Sequence, residues 1–245
     1  KIMPFWIQNF IRQDWGVDFV IYDQRGTGLS KPRLSCDNSH KLRLDSLKKP
    51  LTAREDSLQF SNQMQHCYDD LIQDQFVNQH MGQISTDNSV DDIVDLHDLL
   101  NVQQWILMGV SYGTRLSLET VRSHPELVKS MVLDSVYPPE YDGFETLAEN
   151  SLRAIDRLVE SCVADDLCEQ QYPMLSTQLY EALLALNIEP MELTVPQSDH
   201  TKPLRTLSLT AHRLIFLLDY ASYDSQLLAN IPSAISAVKK KDSRN

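Results

Sequence analysis

Apolar and polar positions along this chain follow two rhythms, and each predicts a different element. Apolar residues, many of them β-branched or aromatic, predict strands over residues 17–22 (VDFVIY), 105–108 (WILM) and 129–136 (KSMVLDSV). Helical spacing recurs between them. Met64, Cys67, Leu71 and Phe76 predict a helix over residues 63–79. Val90, Ile93, Val94, His97 and Leu100 form one face of a helix over 90–100. Ser89 stands where its N-cap belongs, and Asp91 and Asp92 fall in the first turn, where the helix dipole favours acid. His97 reads as a core-edge residue. A helix over 114–122 is closed by Pro125, and an amphipathic helix with Phe5, Trp6, Phe10 and Ile11 is expected over 4–14. Residues 34–61 show no period and read as a long surface excursion; residues 81–88 read as loop.

The alternation of strand and helix stops at Tyr137-Pro138-Pro139. Beyond it the pattern predicts helices over 145–163, 172–186, 207–220 and 232–241, with one short strand at 191–195. The fold class is therefore α/β: a parallel sheet with helices on both faces over residues 1–138, and a helical cap over 139–245.

The chemistry concentrates where the second apolar run meets a helix. Gly109-Val110-Ser111-Tyr112-Gly113 is a G-x-S-x-G string at the apex of strand, sharp turn and helix, the arrangement that exposes a nucleophilic serine. Gly109 and Gly113 are expected to let strand and helix approach closely on either side of Ser111. The helix that follows points its first N–H groups at the reaction centre, so the Tyr112 N–H is the candidate oxyanion donor. A second punctuated stretch, Asp23-Gln24-Arg25-Gly26-Thr27-Gly28, follows the first predicted strand. Its glycines and charges suggest a pinned loop bordering the site, with Asp23, Arg25, Gly26 and Gly28 in structural roles. The plainer alternative is a strand exit whose Asp23 and Arg25 pair with each other.

Composition narrows the function. Among 245 residues, Lys+Arg 22 against Asp+Glu 34 gives a net charge of -12, so neither nucleic acid nor an anionic lipid surface is an expected partner. No apolar run reaches membrane-span length. No cofactor is expected, and no cysteine spacing suggests a metal. Four cysteines allow three pairings, and the sequence alone does not choose; four reduced thiols is the other reading.

Three motifs in fixed order carry a resemblance: Asp23-Gln24-Arg25-Gly26-Thr27-Gly28-Leu29-Ser30, Gly109-Val110-Ser111-Tyr112-Gly113-Thr114, and Val132-Leu133-Asp134-Ser135-Val136-Tyr137-Pro138. Together they resemble the proline iminopeptidase/tripeptidyl aminopeptidase family of α/β-hydrolases, serine exopeptidases with a helical cap. The resemblance implies acyl transfer through Ser111 on a peptide with a free N-terminus, whose ammonium could meet cap carboxylates such as Glu145, Glu149, Asp156 or Glu160. It also implies the disulfides Cys36–Cys67 and Cys162–Cys168 of the secreted branch, and so a periplasmic or secreted protein. The chain departs from the family in having no HGGPG-like motif. No triad Asp or His can be named, and neither His200 nor His212 is assigned. The chain is therefore expected to be a piece of a longer enzyme, lacking the N-terminal strands and the C-terminal core, and inactive alone. The rival readings are a different hydrolase of the fold, such as an esterase, and a non-catalytic binding protein.

Overall fold

The computed structural model describes residues 15–36, 39–197, 201 and 203–240. The helix expected over residues 4–14 and His200 lie outside them.

After an extended segment and loop, the first helices are α1 (Ser39–Ser46) and α2 (Ala53–Leu71). These occupy the stretch expected to be a surface excursion. Helix α2 begins ten residues before the expected start because Thr52 and Glu55 close a capping box, each bonding the other's backbone N–H. It ends at Leu71, and α3 (Gln75–His80) restarts under the Asp74 N-cap, so the one helix expected over 63–79 is two. A 3-10 turn, Met81–Gln83, leads to α4 (Thr86–Leu100). The N-cap of α4 is Ser85, which bonds Asn88 N, whereas Ser89 sits inside the helix and returns its hydroxyl to the Ser85 carbonyl. Val90 and Ile93 are buried, but Leu100 is 47% exposed, so the apolar face is narrower than expected.

Strand β1 (Trp105–Val110) runs through the tight turn at Ser111 into α5 (Tyr112–Ser123), and β2 (Val128–Asp134) returns parallel to β1. Register places Val110 opposite Asp134. Helix α5 packs on both strands and against α4, where Val90, Ile93, Leu116 and Trp105 form a small apolar cluster. Residues 17–22 form no strand. Their composition favours β structure, but a strand exists only through its ladder, and no described segment pairs with them. Helical cover is likewise seen on one face of the sheet. On the other, Ile106, Met108, Val110 and Val132 are exposed among the described residues.

The remainder is largely helical: α6 (Gly143–Ala164), α7 (Asp166–Gln171), α8 (Leu175–Ile188), an antiparallel pair β3 (Met191–Val195) and β4 (Arg205–Leu209), then α9 (Ala211–Ser222), α10 (Ser225–Leu228) and α11 (Ile231–Lys239). The expected helix over 207–220 begins later, because Arg205-Thr206-Leu207-Ser208-Leu209 alternates with period two and pairs with β3. The larger core lies here, joining Ile155 and Val159 of α6, Leu175 and Ala182 of α8, Leu214 and Leu218 of α9, and Ile235 of α11. Cys162–Cys168 ties α6 to α7 with Cα atoms 5.1 Å apart, and Cys36–Cys67 closes the α1–α2 stretch with Cα atoms 5.5 Å apart.

Helices α1 and α2 are bonded to this helical part rather than lying loose. Arg213, 5% exposed, donates to the carbonyls of Ser46, Leu47, Lys49 and Ser208 and to Asp56. The Asp56 carboxylate, 4% exposed, also accepts from Arg43 at 2.9 Å and His212 at 3.0 Å. Burial pushes this carboxyl up, but the hydrogen bonds from His212 and Arg213 and the charges of Arg213 and Arg43 outweigh it and hold it below the usual range. No helix among the described residues is long and apolar enough to cross a membrane.

Candidate active site

Ser111 occupies the apex between β1 and α5 with φ 54 and ψ -121, a backbone conformation that L-residues rarely adopt. The surrounding bonds hold it there. Its N–H donates to the Asp134 carbonyl at the end of β2, at 3.0 Å. Its carbonyl accepts the Thr114 N–H at 2.9 Å and the Thr114 hydroxyl at 2.7 Å. Thr114 is fully buried, and its Oγ1 accepts the Tyr137 N–H at 2.8 Å, so one side chain fixes both the turn and the chain leaving β2. With both backbone groups bonded, the serine side chain stands exposed at the carboxyl end of the strands.

Gly109 has the role expected of it. A Cβ there would lie 2.4 Å from the Gly113 carbonyl oxygen and 2.7 Å from Thr114 N. Gly113 does not: among the described residues its Cβ would meet nothing within 4 Å. The close approach is therefore one-sided, with the Gly113 backbone as the surface that Gly109 must clear.

The Tyr112 N–H, the first of α5, has no described acceptor, as expected of a helix N-terminus, and neither has the Ser111 hydroxyl. The histidines with placed partners are engaged elsewhere. His80 meets the Phe76 carbonyl; His97 meets Asp98 and the Gln103 carbonyl, which raise its pKa in that order of effect; His124 meets Glu126; His212 meets Asp56. Among the described residues, no group of His, Cys, Asp or Glu is arranged to hold a metal ion.

The Asp23–Ser30 loop reaches the elbow through α4. Arg25 forks onto Asp92 at 2.7 and 2.9 Å and donates to the Gln83 carbonyl at 2.9 Å. That pairing raises the Arg25 pKa. Asp23 does not pair with Arg25. Its carboxylate accepts the Leu29 N–H at 2.8 Å, and its carbonyl accepts the Ser30 hydroxyl. Gly26 and Gly28 take φ 80 and 52, and a Cβ on Gly28 would lie 2.1 Å from the Asp23 carboxylate. From the first residue of α4, Thr86 bonds the Tyr112 hydroxyl at 2.8 Å. Tyr22, 36% exposed near Asp92 and Tyr112, has its phenol pushed up to about 12, by loss of solvation first and then by those two neighbours.

Arg115, one turn after Ser111, escaped the sequence reading. It donates to the carbonyls of Pro138, Pro139 and Tyr141 at 3.3, 2.8 and 3.3 Å, and lies 5.0 Å from the centre of the Tyr137 ring. The elbow helix thereby grips the chain that leaves β2 for α6. An arginine at helix position four offers no sequence signal for this, because its partners are carbonyls. Glu145, Glu149, Asp156 and Glu160 are all exposed on α6.

A family model described as alpha/beta hydrolase fold matches residues 3–203. The chain is 23% identical over 196 residues to "Serine protease Hip1" of Mycobacterium tuberculosis and of Mycobacterium bovis, covering 78% of this chain and 38% of that protein. It is 38% identical over 48 residues to "Proline iminopeptidase" of Neisseria gonorrhoeae, 20% of this chain and 16% of that protein. The chain thus spans about two fifths of the first of these relatives.

Proposed function

This chain belongs to the α/β-hydrolase fold family, and on that premise we propose that it carries the nucleophile of a serine exopeptidase, an aminopeptidase releasing residues from peptide N-termini. The observation that carries the reading is the Ser111 turn itself: a positive φ, both backbone groups bonded, and an exposed hydroxyl beside the unpaired Tyr112 N–H. Strain of this kind costs on the order of 1–3 kcal/mol and persists where the surroundings over-determine it, here through Asp134 and Thr114.

In this mechanism Ser111 Oγ attacks the scissile carbonyl as its proton passes to a histidine, itself oriented by a carboxylate. The amine leaves with that proton, and water then clears the acyl-enzyme. Oxyanion charge that develops in each step falls on the Tyr112 N–H, an interaction worth about 2.7–4 kcal/mol of barrier in comparable sites. No described histidine or carboxylate hydrogen-bonds the Ser111 hydroxyl. Residues 1–138 would form the catalytic core and 139–245 the cap, with α1 and α2 bonded to the cap through Asp56 and Arg213. Asp23, Arg25, Gly26 and Gly28 hold the bordering loop.

The peptide substrate is supported by the names of the two relatives, a serine protease and a proline iminopeptidase. A periplasmic or secreted site of action is supported by the two disulfides, which persist in an oxidising compartment. Turnover of aminoacyl arylamides and of short acyl esters by the full-length protein tests the reading. Faster hydrolysis of the arylamides, lost in Ser111→Ala, is expected; ester cleavage alone would replace the peptidase with an esterase.

A further inference from the structure

The Ser111 carbonyl and the Tyr112 N–H belong to one trans peptide unit, which is planar and points the two groups in opposite directions. Whatever fixes the carbonyl therefore aims the N–H. Two bonds fix it, both from Thr114: the backbone N–H at 2.9 Å and the hydroxyl at 2.7 Å. The backbone bond is open to any residue in this place except proline; the hydroxyl bond is not.

The direction of that hydroxyl follows from its two partners. The Ser111 carbonyl can only accept, and the Tyr137 N–H, at 2.8 Å, can only donate. The single hydroxyl proton therefore lies toward Ser111, and a lone pair lies toward Tyr137. Thr114 is 0% exposed, so bulk water competes for neither bond. At the opposite end of the same peptide, the Tyr112 N–H has no described acceptor and stands at the turn that exposes the Ser111 side chain. A buried bond on one side of the peptide thus leaves an oriented donor on the other.

We propose that Thr114 is a positioning residue for catalysis: its hydroxyl, held by the Tyr137 N–H, sets the tilt of the 111–112 peptide and so aims the Tyr112 N–H at the oxyanion. The proposal rests on the serine-hydrolase reading above. Negative charge develops on the substrate oxygen only as Ser111 attacks, so the aim of this donor acts on the transition state rather than on substrate binding.

Three substitutions in the full-length protein test this. Thr114→Val keeps the side-chain shape and removes the hydroxyl. It is expected to lower kcat on an aminoacyl arylamide roughly 10- to 100-fold with KM within about twofold, and to slow fluorophosphonate labelling of Ser111 by a similar factor. Thr114→Ser keeps the hydroxyl and removes a buried methyl. It should unfold at lower urea than wild type, yet recover labelling to within about threefold of the wild-type rate. Thr114→Ala differs from Thr114→Ser by the hydroxyl alone and should label about tenfold more slowly than it; this pair carries the test if Thr114→Val does not fold. A role confined to stability would leave folded protein labelling at one rate in all of them. Wild-type labelling in folded Thr114→Val, or equal labelling of the serine and alanine variants, overturns this inference alone. Absence of labelling in the wild-type protein overturns the hydrolase reading and this inference with it.

Discussion

The sharpest difference the structure draws is between the two glycines of the elbow. Alanine at Gly109 would place Cβ 2.4 Å from Gly113 O, 2.6 Å from Gly113 C and 2.7 Å from Thr114 N. All three atoms are backbone, and no side chain can swing aside. Bringing the shortest contact to an ordinary 3.4 Å requires α5 to move about 1 Å from β1. Overpacking of this kind costs typically 1–3 kcal/mol, and backbone on both sides puts Gly109→Ala near the upper end, about 3 kcal/mol. For a domain of this size that is a fall in Tm of roughly 6–12 °C. The same 1 Å displaces the Tyr112 N–H from its place beside Ser111, so fluorophosphonate labelling should slow roughly a hundredfold. Gly113→Ala meets open space and exchanges glycine for the best helix former, a gain of about 0.5–1 kcal/mol. Urea unfolding of the two variants, followed by circular dichroism, measures the difference, expected to be on the order of 4 kcal/mol. Equal destabilisation by both substitutions would refute the one-sided close approach.

Other contacts make separate demands. Arg25→Met and Asp92→Asn should each cost about 1.5–3 kcal/mol, and the double variant little more than either, because they break one fork; full additivity would show that the pair does not act as a unit. Asp56→Asn leaves Arg213 buried without its counter-charge and should cost about 3–5 kcal/mol at neutral pH. Since the Asp56 pKa is depressed on folding, its contribution is complete above the unfolded value near 3.9 and is lost as pH falls through the folded value. The gap between wild type and Asp56→Asn should thus narrow below about pH 4, and a gap constant down to pH 2 would contradict this assignment. Unreduced, denatured protein should titrate no free thiol. Replacing Cys36–Cys67, whose cysteines are 31 residues apart, should cost about 4 kcal/mol, against about 2 kcal/mol for Cys162–Cys168, six apart; the reverse order would show that loop length does not govern these bonds.

What the sequence revealed follows from the range of the interactions involved. The elbow was legible because strand, turn and helix are adjacent in sequence, and an apolar run followed by G-x-S-x-G specifies each locally. The family match over residues 3–203 shows the α/β-hydrolase fold. Residues 39–56 were illegible for the opposite reason. Helix α1, SHKLRLDS, has no amphipathic stripe, and the partners that hold the stretch, His212 and Arg213, lie more than 150 residues away. Residues 17–22 misled because β-propensity reports how a side chain fits a pleated surface, not whether a neighbouring strand is present. Residues 205–209 misled because Leu207 and Leu209 fit both a strand of period two and the start of the helix behind Thr210. In the site, Gly26, Gly28 and Gly109 carried signals because special backbone geometry or a close approach restricts residue type, and Ser111 because of the G-x-S-x-G string around it. Thr114 and Arg115 carried none, since a buried hydroxyl and a guanidinium bonding carbonyls can stand in any helix.

The central claim is that the Ser111 turn holds an activated nucleophile. Treating the full-length protein with a fluorophosphonate and mapping the adduct by peptide mass spectrometry tests it most directly. A single stoichiometric adduct on the peptide containing Ser111, absent in Ser111→Ala and slowed in Gly109→Ala, is the predicted result. A folded protein that stays unlabelled, or an adduct on another residue, would contradict it.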